Sequence, residues 1–183
     1  MRKLKLQVQI SLDGFIAGPD GEMDWMKWDW DDGLKNYVKD LTGPVDTIIL
    51  GRKLAQGFIP YWTSEVGKEE GAEKMVYTDK VVFTKTLEKS EWERTVLAKG
   101  DLVDEIQNLK MQDGGDIIVY GGAQFVSSLI KEGLIDELHL LINPVAIGDG
   151  LTIFRGLESK QDLTLIQSKV FDCGIIVLCY RPK

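Results

Sequence analysis

Two cysteines and one histidine leave little material for thiol or metal chemistry in a chain of 183 residues. Cys173 and Cys179 share one side of an alternating run with Ile175 and Val177, which suits packing against a sheet better than a disulfide framework or a metal site. His139 sits in another alternating run with no Ser or Cys nucleophile motif beside it, so we expect a strand-surface residue rather than a catalyst. GxSxG, HExxH and CxxC are absent, as are the Walker A pattern and GxGxxG, which removes the commonest hydrolase, metalloprotease, NTPase and Rossmann classes. No metal site is expected. Prolines number five, and no Pro-, Gly- or Ser-rich linker divides the chain, so residues 1–183 are expected to form a single domain. Long apolar runs are missing too. In the first ten residues Gln7 and Gln9 alternate with Leu6, Val8 and Ile10 behind Arg2, Lys3 and Lys5, a pattern of a strand and not of a signal peptide or membrane span. The expectation is a cytoplasmic protein with no membrane partner. Net charge is −7, which argues against a general nucleic-acid surface while leaving room for a local basic pocket.

What is present centres on Ile117-Ile118-Val119-Tyr120-Gly121-Gly122-Ala123-Gln124. A β-branched and aromatic run reads as a buried strand, and Phe125, Val126, Leu129 and Ile130 then mark one face of a helix that stops near Gly133. The break falls on paired glycines. They permit a tight turn and close backbone approach, and the free N–H groups of the following helix suit a phosphate; a plain strand-to-helix turn fits the same residues.

Similar junctions recur. Val45 to Leu50 reads as a strand followed by Gly51-Arg52-Lys53, and Lys80 to Phe83 as a strand followed by Thr84-Lys85-Thr86. In an open α/β sheet the carboxyl ends of parallel strands line one crevice, so these junctions and Gly121-Gly122 converge on one elongated, phosphate-bearing ligand if the strands are parallel. The first strand, Leu4 to Ile10, runs into Ser11-Leu12-Asp13-Gly14-Phe15-Ile16-Ala17, where Asp13 either orients a substrate or caps a local turn. Between Met23 and Asp32 stand three of the five tryptophans among several carboxylates. Trp28 and Trp30 could wall a pocket for a flat ring with Asp32 at its polar edge, or form a dimer patch or local core. Asp31 or Asp32 also suits the N-cap of a helix carrying Leu34, Tyr37, Val38 and Leu41. The segment around Phe58, Pro60, Tyr61 and Trp62 and the polar stretch Ser64 to Lys74, an exposed helix or loop, carry no assigned chemistry. Leu102, Val103, Ile106 and Leu109 mark a further helix. Glu137 to Pro144 alternates, and Leu163 to Phe171 with Ile175 to Tyr180 reads as a hairpin, so the sheet should end in an antiparallel part.

Taken together, Ser11 to Ala17, Gly51-Arg52-Lys53, Val82-Phe83-Thr84-Lys85, Val119 to Ala123, and Leu134-Ile135-Asp136-Glu137 leading to Asn143-Pro144-Val145-Ala146-Ile147-Gly148-Asp149-Gly150 resemble the dihydrofolate reductase-like family. The similarity is to the branch containing the C-terminal reductase domain of bacterial riboflavin biosynthesis proteins, and it spans almost the whole chain. It implies an α/β, three-layer fold: a mixed, mostly parallel sheet with an antiparallel C-terminal hairpin and helices on both faces. It also implies NADPH as hydride donor, a small-molecule heterocyclic substrate, kinship with 5-amino-6-(5-phosphoribosylamino)uracil reductase, and a homodimer. By position, Gly121, Gly122, Ala123 and Gln124 would hold the pyrophosphate. Gly51 would let the backbone approach, with Arg52, Lys53, Thr84 and Lys85 around the adenosine 2′-phosphate. Ile16 and Ala17 would lie along the nicotinamide, and Asp13 with Glu137 would face the substrate as the catalytic pair.

Two departures stand out. Leu54 occupies the place where the family commonly has a threonine whose hydroxyl touches the cofactor phosphate, and the loop from Gly57 to Gly67 lacks the basic, hydroxyl-rich set that takes a ribosyl phosphate. Three functions remain open: an NADPH-dependent reductase, a nucleotide-binding module without turnover, and a dimeric scaffold built on the Trp-rich loop. A dihydrofolate reductase is a further alternative, with Asp31 and Asp32 nearer a helix cap than a pterin ring.

Overall fold

The computed structural model describes residues 1–183, and the strand at its centre is the one whose sequence alternates most cleanly. In β1 (Leu4–Ile10) all seven residues are buried. Leu4, Leu6, Val8 and Ile10 enter the largest apolar cluster, which leaves Lys5, Gln7 and Gln9 on the opposite face. In chain order follow α1 (Asp32–Thr42), β2 (Val45–Gly51), α2 (Arg52–Ser64), α3 (Ala72–Tyr77), β3 (Asp79–Phe83), β4 (Thr95–Ala98), α4 (Leu102–Met111), β5 (Asp116–Val119), α5 (Ala123–Lys131), β6 (Glu137–Ile142), β7 (Leu163–Val170) and β8 (Ile176–Pro182).

The eight strands make one sheet in the order β4-β3-β2-β5-β1-β6-β8-β7. Every pairing from β4 to β6 is parallel, while β8 runs antiparallel to β6 and β7 antiparallel to β8. Helices α4 and α5 cover the face that carries Leu4, Leu6, Val119 and Leu138, through Ile106, Val126, Leu129 and Ile130. The other face holds two separate apolar clusters. Ala55 and Ile59 of α2 pack on Ile48, Leu50, Val82 and Ile118, whereas Leu34, Tyr37 and Leu41 of α1 pack on Leu141, Ile175 and Val177. Three layers result, as expected. No helix is long and apolar enough to cross a membrane.

Two elements were not expected from the sequence. β4 has only four residues and is half exposed, so its alternation is too brief to register. α2 continues through Gly57 and Pro60, two residues that oppose a helix interior. Tertiary packing overrides them: Phe58 stacks on Tyr120 at 5.6 Å between ring centroids and meets Trp62 edge-on at 6.1 Å. His139 also departs from expectation. It is 7% exposed rather than on a strand surface, because α1 covers it and Tyr37 Oη lies 2.6 Å from its Nδ1.

Candidate functional site

Parallel pairing puts the carboxyl ends of six strands along one rim, with neighbouring strands roughly 4.8 Å apart. In the order of the sheet, that rim carries Lys99-Gly100 after β4, Thr84-Lys85 after β3, Gly51-Arg52-Lys53 after β2, Gly121-Gly122 after β5, the Ser11 to Ala17 loop after β1 and Asn143 after β6. All of the expected cofactor residues therefore share one edge.

At the middle of the rim two helices begin side by side. Neither α2, starting from Gly51, nor α5, starting from Gly122, has a side-chain cap on its first-turn N–H groups. Their starts touch: a Cβ on Gly51 would sit 3.1 Å from Phe125 Cβ, and one on Gly122 would sit 3.8 Å from Leu54 Cβ. Gly121 has φ 152° and Gly122 φ 81°, values that L side chains rarely adopt, so the turn requires both glycines. Two uncapped helix starts aimed at one place add their partial positive charges, which is the donor set a pyrophosphate needs.

Cationic groups flank this point on the β3 side. Arg52 makes one long side-chain hydrogen bond, donating to Gln56 Oε1 at 3.3 Å, and Lys53 is exposed. Lys85 donates from Nζ to the carbonyls of Lys99 and Gly100 at 2.8 and 2.7 Å, which anchors its ammonium on the rim between β3 and β4. Thr84 is buried and its Oγ1 accepts from the backbone N–H of Thr86 and Leu87, so this hydroxyl shapes the turn.

On the β1 side, Ile16 and Ala17 are buried, and Ala17 makes an antiparallel bridge with Leu151. Asp13 clamps this loop to the one after β6. Its carboxylate accepts from Ser11 Oγ at 2.7 Å, from Gly148 N at 2.7 Å and from Ile147 N at 3.1 Å. The Ser11 bond and then the Gly148 bond hold its pKa below the usual carboxylate range. An ionised, thrice-bonded carboxylate is a positioning group and a poor proton donor, so the turn-forming role outweighs the catalytic one.

Glu137 needs a correction. It opens β6 and pairs with Lys5 near the start of β1, which places it on the amino-terminal rim, across the sheet from the expected cofactor residues. There it accepts from Lys3 Nζ and Arg181 Nη2, both at 2.9 Å, and lies 3.4 Å from His139 Nε2. Burial would raise its pKa, but the Lys3 and Arg181 hydrogen bonds overcome that and bring it down to about 2. It cannot face a ligand on the opposite rim.

The Trp-rich loop lies over the end of β6. Asn143, fully buried, accepts from Lys27 N through Oδ1 at 2.9 Å and donates from Nδ2 to Gln9 Oε1 at 3.0 Å. Trp28 and Trp30 stack at 6.0 Å; Trp28 is 60% exposed, whereas Trp30 is half-buried against the α1 cluster. Asp31, not Asp32, caps α1 by accepting from Leu34 N, and it also accepts from Cys173 N, tying the loop to the C-terminal hairpin. Asp32 is exposed in the first turn of α1.

A family model of the RibD C-terminal domain matches residues 2–177. The chain belongs to the RibD C-terminal domain family. Among RibD-like structures, a protein of Shewanella sp. PV-4 provisionally assigned to riboflavin biosynthesis superposes with a TM-score of 0.75 at 25% identity, covering 100% of this chain and 99% of that one. The deaminase/5-amino-6-(5-phosphoribosylamino)uracil reductase of Thermotoga maritima matches at 0.74 and 20% identity over 57% of its own length, a likeness of fold alone. In sequence, the uncharacterized protein YyaP of Bacillus subtilis is 30% identical over 187 residues, covering 98% of this chain and 95% of that protein. Within this RibD-type framework Leu54 stands against the glycine pair, Cδ2 being 3.9 Å from where a Gly121 Cβ would lie. Its methyl groups therefore occupy the side of the turn where a threonine would present a hydroxyl. Sequence reasoning also passed over Asn143, Gln7 and Gln9; the available signal was three amides on the covered face of adjacent strands.

Proposed function

We propose that the protein is an NADPH-dependent reductase of a small heterocyclic substrate. The observation that carries this is the meeting of two uncapped helix starts, α2 and α5, at Gly51 and Gly121-Gly122, with Arg52, Lys53 and Lys85 to one side and the Ile16-Ala17 loop to the other. That order along the rim matches the order of groups in the cofactor: 2′-phosphate beside β2, β3 and β4, pyrophosphate between β2 and β5, nicotinamide beyond β5 at β1. NADPH, when bound, supplies the hydride. The chain binds and orients it: Gly121, Gly122, Ala123 and Gln124 present backbone donors, while Ile16 and Ala17 give the ring an apolar, water-excluding side. Asp13 acts indirectly, by fixing the loop that carries Ile16 and Ala17. A non-catalytic nucleotide-binding module would share the same rim, and turnover separates the two.

The test is a titration of the protein with NADPH and NADH, followed by energy transfer from tryptophan to the reduced nicotinamide. Saturable binding that prefers NADPH is expected. Lys85→Ala should weaken NADPH by about tenfold, in line with loss of one charge-assisted contact, and leave NADH little changed. Equal losses for both cofactors would show that Lys85 only braces the rim, and no binding to folded protein would overturn the reductase.

A further inference from the structure

The two ends of the proposed cofactor rest on separate elements, the pyrophosphate at the start of α5 and the nicotinamide on the Ile16-Ala17 loop after β1. No backbone hydrogen bond joins these elements. What joins them is the chain that follows β6. At one end of this stretch Leu151 bonds to the loop twice, donating to Ala17 O at 2.9 Å and accepting from Ile16 N at 2.8 Å. Gly150 permits that approach, since a Cβ there would collide with Ala17 O. At the other end Ser127 of α5, only 8% exposed, donates from Oγ to Ile153 O at 2.9 Å. Residues 150–153 are thus a strap from the nicotinamide loop to the helix.

The direction of the Ser127 hydroxyl is informative. A serine inside a helix commonly turns back to the carbonyl four residues earlier, as the neighbouring Ser128 does with Gln124 O at 3.0 Å. Ser127 reaches outward instead. The Ile153 carbonyl accepts no backbone N–H, so this hydroxyl is what satisfies it. Ile153 is fully buried in the main apolar cluster, to which Val126 and Ile130 of α5 also belong. Apolar burial has no preferred direction, whereas a hydrogen bond fixes both distance and angle. The Ser127 bond therefore sets where the strap sits along α5. It does so close to the cofactor end of the helix, about 6 Å along the axis from Ala123.

We infer that Ser127 is a positioning residue that sets the span between the helix start holding the pyrophosphate and the loop holding the nicotinamide. It touches neither part of the cofactor and acts through Ile153, Leu151 and Ala17. This rests on the reductase proposal for the ligand, although the strap itself needs none.

Two readouts on the full chain test it. In the free protein, hydrogen exchange of the Ile16 and Leu151 amides, followed by NMR, should speed by about tenfold in Ser127→Ala and keep the wild-type rate in Ser128→Ala. Calorimetric titration then compares NADPH with 2′-phospho-ADP-ribose, the same molecule without its nicotinamide. Wild type should favour NADPH by roughly tenfold, and Ser127→Ala should bind the two alike by weakening NADPH alone. Ser128→Ala should keep the preference. Gly150→Ala presses on the other end of the strap at Ala17 and should lose the preference too, which decides the matter if Ser127→Ala does not fold. Unchanged exchange, equal weakening of both compounds, or a preference that survives at either end of the strap overturns the inference. A wild type that binds neither compound, with exchange still coupled to Ser127, would count against the reductase alone.

Discussion

At the scale of single residues, Glu137 shows how location changes the meaning of a carboxylate. Its side chain is 11% exposed, and its partners Lys3 and Arg181 are each 49% exposed. Its pKa falls from 4.5 to about 2 on folding. A depressed carboxyl pKa contributes stability above the unfolded value and loses it as pH falls through the folded one, so the window here is pH 4.5 down to about 2. His139 works in the same direction at higher pH: burial lowers its pKa below 6.5 against the pull of Glu137, so the unfolded chain takes up the proton first and stability declines as pH drops below that value. Urea unfolding across pH 7 to 3 should show this two-part decline. Glu137→Gln should flatten the lower part, with NADPH binding at pH 7 unaltered because the residue is on the far rim. A loss of cofactor binding would return Glu137 to the site. Leu54 supports a second prediction of this kind. Leu54→Thr places a hydroxyl beside Gly121-Gly122 and should tighten NADPH about fivefold, for a hydrogen bond worth about 1 kcal/mol; unchanged or weaker binding would mean that the phosphate does not pass this turn.

Among the elements, α5 and its turn carry the largest share of the proposed cofactor site in the fewest residues. Gly122→Ala would put a side chain at φ 81°, a backbone region that costs a non-glycine residue about 1 to 2 kcal/mol. The variant should melt lower and bind NADPH at least tenfold more weakly, while an alanine at exposed Gln124, within the same first turn, should cost little because the backbone N–H does the binding. If the Gln124 change were the larger one, side chains rather than the helix start would hold the phosphate. This turn was legible in the sequence since strand and helix periods meet there at a glycine pair. β1, α1 and the C-terminal hairpin were legible by the same two periods, 2 and 3.6. α2 was not, because Gly57 and Pro60 break its local propensity and the aromatic contacts of Phe58 are long-range. β4 was too short. The common edge of Gly51-Arg52-Lys53, Thr84-Lys85 and Gly121-Gly122 could be inferred because strand ends precede their glycines and cations in sequence, whereas the rim on which Glu137 lies depends on strand direction and register, which no local pattern states.

Across the whole molecule the proposed cofactor lies over β4 to β1, and the opposite end of the sheet is left uncovered. β7 pairs with β8 on one edge only, and seven of its eight residues are exposed. Leu165, Ile166 and Val170 are 51%, 46% and 78% exposed there. A bulge between Leu165 and Gln167, and Lys169, disturb the edge, but an eight-residue strand with three exposed aliphatic side chains is still a surface for pairing. We propose that a second copy of the chain covers it. Sedimentation velocity should then give twice the chain mass for the wild type, and a double change, Ile166→Lys with Val170→Lys, should shift it to the single mass. β7 lies three strands beyond β1, so the single-mass variant should still bind NADPH; a variant that dissociates and loses the cofactor together would mean that the dimer completes the cleft. A wild type that sediments as one chain would leave β7 uncovered and remove the homodimer.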